Sequence, residues 1–87
     1  MIIEMARSLL GHDKNQIYLI WKREEDFAWL VNGRTHPIEK PKKKNAKHYK
    51  IIKRIPSDIL ARIQETDALT DELIRWLLKE YERQSIK

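Results

Sequence analysis

A mostly β fold with α at its end is what this sequence predicts: a small antiparallel barrel of about five strands, then one or two C-terminal helices. Three observations carry that reading. Residues 1–55 hold short runs rich in aromatic and β-branched residues, separated by turn residues. From residue 56 onward the apolar spacing becomes helical. Five short strands in so short a stretch do not suit a helical bundle, whereas a barrel leaves few edges exposed.

Taken in order, residues 2–9 form the first strand, and Leu10 to Gln16 form a turn in which Gly11 and Asn15 tolerate positive φ. In that turn Asp13 is expected to bond its own backbone two residues on. Residues 16–22 (QIYLIWK) and 27–31 (FAWLV) are strands on either side of the polar turn Arg23-Glu24-Glu25-Asp26, with Trp21, Phe27 and Trp29 directed to the core. Asn32-Gly33 is a hairpin signal leading to a short strand over 34–38 that stops near Pro37. Pro41 opens a lysine-rich loop over 41–47, and residues 48–54 form the last strand. Pro56-Ser57-Asp58 starts a helix, with Ser57 as its cap and Ile59, Leu60 and Ile63 on one face. Thr70-Asp71-Glu72 starts a second, in which Leu69, Leu73, Trp76, Leu77 and Tyr81 make a stripe with Ile74 and Leu78 beside it. One helix over 57–84 is possible, and two with a break near 65–69 is the preferred reading. Leu73, Trp76 and Leu77 are expected to pack on the barrel. The domain reading is a barrel over 1–55 and a helical appendage over 56–87.

At 87 residues the chain can build one modest core, burying roughly 60–65% of the surface its unfolded form exposes. It has no cysteine, which excludes disulfide scaffolds, thiol nucleophiles and thiolate metal sites and fits a reducing cytoplasm. Its longest apolar runs, residues 17–21 and 27–31, are too short to cross a bilayer. No signal peptide is visible.

Charge is unevenly spread. Residues 1–54 carry 13 Lys+Arg against 6 Asp+Glu (+7), and residues 55–87 carry 5 against 7 (−2), which sum to the net +5. Eight bases and no acid fall within 40–54: Lys40, Lys42, Lys43, Lys44, Lys47, Lys50, Lys53 and Arg54. Such a cluster points to a polyanion, nucleic acid before an anionic membrane. Three consecutive lysines cannot all be buried, because charges leave water only when paired.

Catalysis has little to stand on. Ser8 and Ser57 have no base nearby in sequence, and His12, His36 and His48 lack metal-ligand spacing. Glu24, Glu25 and Asp26 read as a solvated hairpin tip, and there is no glycine-rich phosphate loop. No cofactor or metal is implied, and the chain is expected not to be an enzyme.

The segment SLLGHDKNQIYLIW resembles the KOW motif, a strand, a glycine-centred turn and a second strand at one end of a barrel. WLVNGRTHPIEKPKKKNAKH is similar to the second half of bacterial KOW-domain RNA-binding proteins, relatives of the KOW-class large-subunit ribosomal proteins of archaea and eukaryotes. Together the two segments cover about residues 3–54. The chain departs from that pattern at Ile2, Ile3 and Glu4, where the family has glycine, and at Asn15, which also stands for glycine. His12 replaces the usual basic residue after the motif glycine, which makes any phosphate contact there pH-dependent.

The resemblance implies an SH3-like barrel that binds RNA, ribosomal RNA foremost, in the cytoplasm. The contacts expected from it and from the charge cluster are His12, Lys14, Arg34, Lys40, Lys42, Lys43, Lys44, Lys47, His48 and Lys50. Tyr49 with His48 could stack on an unpaired base. The helices are expected to dock on the barrel or on a ribosomal or other protein, and no membrane partner is expected. The alternative is a KOW-type protein-binding adaptor in transcription or translation.

Overall fold

A computed structural model describes residues 3–85. They form β1 (Glu4–Ser8), β2 (Ile17–Arg23), β3 (Phe27–Val31), β4 (Lys42–Asn45), β5 (Tyr49–Ile52), α1 (Ser57–Gln64) and α2 (Asp71–Ser85), with one 3-10 turn at Ala46–His48. Ile2 of the expected first strand lies outside the described residues.

The strands make one antiparallel sheet in the order β4-β3-β2-β1-β5. β4 and β5 are therefore its two outer strands, yet only Ala46, Lys47 and His48 join them. Asn45 to Tyr49 can span at most about 14 Å. Four strand spacings in a flat sheet come to about 19 Å. The sheet has to curl, and the architecture is a small SH3-like β-barrel with two C-terminal helices.

Strand alternation gives the sheet two buried faces. Ala6, Tyr18, Ala28, Leu30 and Tyr49 cluster inside the curl. Met5, Ile17, Leu19 and Val31 point the other way and meet Ile59, Ile63, Ile74, Leu77 and Leu78 from the helices. Each large aliphatic side chain buried there contributes about 1.5–3 kcal/mol relative to exposure. The core thus runs without a break across residue 55, from barrel to helices.

The helix signals were mostly local and hold locally. Thr70 Oγ accepts from Leu73 N at 3.1 Å and caps α2. Residues 65–70 separate α1 from α2. α1 differs in one detail: Pro56 occupies the N-cap, Ser57 is already helical, and no side chain caps it. In α2 the buried face is Ile74, Leu77 and Leu78, while Leu73 is half-buried and Trp76 is 41% exposed. Trp76 does not dock on the sheet, and the Arg62 guanidinium lies 5.9 Å from its ring centroid.

Four further expectations change. No strand forms over 34–38, because residues 32–41 make one long connection between β3 and β4. There Asn32 Oδ1 accepts from Arg34 N (2.9 Å) and His36 N (3.0 Å), so the side chain of Asn32 replaces a ladder partner. The lysine segment is a strand instead of a loop: Phe27–Leu30 offers Lys42–Asn45 a ladder, and pairing overrides the weak strand preference of Lys and Asn. The last strand ends at Ile52. Trp21, Phe27 and Trp29 lie outside the core: alternation from Leu19 and Val31 puts all three on the outer face, beyond the part that the helices cover, and Trp21 is 42% exposed.

The 32–41 connection is fastened to α2. Ile38 N donates to Asp71 Oδ1 at 2.9 Å, and Arg75 donates to Gly33 O at 2.6 Å. Gly33 has φ +75°, and a Cβ there would stand 2.4 Å from the Asp71 carbonyl. Gly11, at φ +96°, would meet only Asp13 Oδ1 at 3.5 Å. Gly33→Ala is expected to destabilise the fold by about 2–3 kcal/mol and Gly11→Ala by about 1 kcal/mol, the conformational cost alone, as urea denaturation will measure.

Candidate nucleic-acid interface

The turn between β1 and β2 is held by its backbone. Lys14 N donates to Gly11 O (3.2 Å), Gln16 N to Asp13 O (2.9 Å) and Asn15 N to Ser8 O (2.8 Å). Gly11 and Asn15 take positive φ, as their residue types suggested. Asp13 differs from expectation: its carboxylate turns inward, and none of its hydrogen bonds goes to its own backbone. Oδ1 accepts from Ser8 Oγ (2.9 Å) and Lys44 Nζ (2.9 Å), and Oδ2 accepts from Tyr18 OH (2.8 Å) and Lys42 Nζ (2.9 Å).

Burial alone would raise the Asp13 pKa. The bonds from Lys42, Lys44, Tyr18 and Ser8 together outweigh it and hold the carboxyl well below the usual carboxylate range. Burial, then the bond to Asp13 and its charge, push the Tyr18 phenol up. His36, with its ring centroid 6.0 Å from that of Tyr18, is pushed down by burial and then by the charge of Lys42, partly offset by Asp13.

This cluster corrects one expected contact. On a strand, Lys42 and Lys44 share a face and Lys43 takes the other. Lys44 is 8% exposed, and its ammonium donates to Asp13, to Ser8 Oγ (2.7 Å) and to Leu10 O (3.1 Å). All three protons are used, so Lys44 cannot hold a phosphate. Lys42 sits at the rim of the cluster, paired to Asp13. Lys43 projects outward over Phe27 and Trp29. Tyr49 is buried among the barrel residues and cannot stack on a base.

The other expected contacts are exposed but not all together. His12 and Lys14 stand on the β1–β2 turn, and Lys40 lies in the 32–41 connection. Lys47 and His48 lie on the 3-10 turn, where Asn45 Oδ1 accepts from Lys47 N. Arg34 borders a separate depression of about 380 Å³ beside Arg75, Lys79 and Glu82.

Lys50 belongs to the most basic surface. A shallow groove of about 490 Å³ runs between β1, β5 and α2, lined by Arg7, Lys50, Ile51, Ile52, Lys53, Arg54 and Tyr81. No acid lines it, and none of its four cations pairs with a carboxylate among the described residues. Arg7 stands directly opposite Lys50 in the β1–β5 register, a like-charge cross-strand pair that costs stability unless an anion joins it. Arg7, Lys53, Arg54 and Tyr81 were not among the expected contacts. Lys53 and Arg54 were countable in the 40–54 cluster, but Arg7 needs the strand register and Tyr81 needs the helix packing.

Asp13 gives a direct prediction. Its native pKa is depressed, so its contribution is fully present above about pH 4 and is lost as pH falls below that value. The wild-type Tm is expected to fall between about pH 4 and pH 2. Asp13→Asn leaves the Lys44 charge buried without a counterion and is expected to cost about 3 kcal/mol or more at pH 7, with a flatter acid limb, in thermal melts across pH. Compared with known proteins, the chain matches no protein-family model and no curated protein.

Proposed function

We propose that this chain is an RNA-binding module that holds phosphates along the groove of Arg7, Lys50, Lys53 and Arg54. The acid-free lining of that groove is the observation that carries the reading. Arginine offers a fork that takes two phosphate oxygens, and lysine a mobile point charge. Neither reads a base, so affinity comes from counterion release and is nearly independent of sequence. The resemblance to KOW-domain proteins supports RNA, with ribosomal RNA as the foremost target. Lys14 on the β1–β2 turn and Lys47 on the 3-10 turn add positive surface, with His12 and His48 beside them. Lys44 serves the fold instead, and Lys42 stands at the rim, paired to Asp13. The absence of cysteine supports a cytoplasmic setting. Among the described residues no helix is long and apolar enough to cross a membrane.

A protein contact, as in a KOW-type adaptor, is favoured at one place. Trp76 is 41% exposed beside Leu73, Arg62 and Thr66 around a depression of about 300 Å³ on the helical side. It stands beside the RNA reading as a second surface.

Four phosphate contacts give a log–log salt slope of about −3, so raising salt from about 50 to 200 mM is expected to weaken binding about sixtyfold. Lys50→Glu with Lys53→Glu leaves two cations and is expected to halve that slope to about −1.5. Fluorescence anisotropy with a labelled RNA hairpin measures both. An unchanged slope in the double variant overturns the groove.

A further inference from the structure

The aromatic residues that sequence reasoning assigned to the core form a second surface. Helices α1 and α2 cover the outer face of the sheet at Met5, Ile17, Leu19 and Val31. They leave the outer face of β2–β4 bare at Phe27 and Trp29, both half-buried. Trp21, 42% exposed, shares that face, and the bulge in β2 turns Lys22 to it as well, so that both stand beside Trp29. Two ammonium groups lie over these rings. Lys43 Nζ is 4.2 Å from the Phe27 centroid and 5.5 Å from the Trp29 centroid, and Lys22 Nζ is 5.2 Å from the Trp29 centroid.

Lys43 has no carboxylate partner among the described residues. Lys22 has only Glu24, at 3.5 Å and with both side chains well exposed, a pairing of little strength. The surface therefore offers aromatic rings covered by two weakly held cations on long flexible stems, and an arriving phosphate can draw these off the rings to bare their π faces. A ligand that matches it has a flat π face and an anion a few ångströms away within one unit. An unpaired nucleotide has both. A duplex has neither base face free, since its bases already stack on one another. Addition of a second copy along the β4 edge is opposed by the lysines that guard it.

We propose that the outer face of β2–β4, made by Trp29 with Phe27, Trp21, Lys22 and Lys43, is a stacking platform for unpaired bases, so that the RNA bound by this protein includes a single-stranded segment. This rests on the RNA reading and deepens it: the groove holds phosphates, and the platform selects single strand over duplex. Stacking on one aromatic side chain is worth roughly 5- to 150-fold in affinity per base and tolerates any sequence.

The probes are a ten-nucleotide oligoadenylate, a blunt RNA duplex of the same length and inorganic polyphosphate, each titrated against the full chain. Trp29→Leu is expected to weaken oligoadenylate binding about tenfold and leave duplex and polyphosphate binding unchanged. Trp21→Ala, a change at an exposed bulge, is expected to act in the same direction more weakly. Oligoadenylate is expected to quench tryptophan emission, in the Trp76→Phe variant as well, whereas polyphosphate is not. Circular dichroism verifies that each variant is folded. Should Trp29→Leu fail to fold, Trp21→Ala and the quenching decide the matter. Unchanged oligoadenylate affinity in the folded tryptophan variants, or binding without quenching, overturns the platform. If Lys50→Glu with Lys53→Glu still weakens all three probes, the groove survives that result. If no probe binds the unmodified chain at about 50 mM salt, both readings fall.

Discussion

A single buried carboxylate organises this molecule. Asp13 gathers Ser8 from β1, Tyr18 from β2 and two lysines from β4, so one side chain ties the turn to three strands. The domain has no disulfide, and its core is divided between two faces of one sheet. Buried ion clusters of this kind specify an arrangement more than they stabilise it, because desolvation offsets much of the attraction. Here what is specified is register. Lys42 and Lys44 reach Asp13 only if Lys43 points away. A slip of one residue in β4 would bring Lys43 inside and leave the carboxylate facing the wrong partner.

That constraint divides the lysine run into structural and surface members, and the sequence alone shows only part of this division. Three adjacent lysines on extended backbone must point to both sides, so one at least was bound to face outward. Which ones turn inward depends on Asp13, which is 31 residues from Lys44 along the chain. Local signals fared better. The positive φ of Gly11 and Asn15, the cap at Thr70 and the break before α2 each depend on a few adjacent residues. Tertiary pairing decided the rest. Lys42–Asn45 became a strand because β3, paired with β2 along one edge, offers it the other, and Trp29 stayed outside because the helices covered another part of the face. The groove joins Arg7, residues 50–54 and Tyr81, three places in the chain that no spacing rule connects.

The two surfaces divide the chemistry between them. Arg7, Lys50, Lys53 and Arg54 supply charge with little π surface beyond Tyr81, while Phe27, Trp29 and Trp21 supply rings, with two cations over Phe27 and Trp29. Three of the six acids of the front half are engaged away from the groove, Asp13 inside, Glu4 with Arg23 and Glu24 weakly with Lys22, while Glu24 and Glu25 border the neighbouring depression that Lys50 and Lys53 also line.

The core shared between sheet and helices also sets an order of events during synthesis. Met5, Ile17, Leu19 and Val31 leave the ribosome before their cover, Ile74, Leu77 and Leu78. Until α2 has emerged, the nascent β-portion carries a wet apolar flank, so the barrel matures only after this fifteen-residue helix has been translated.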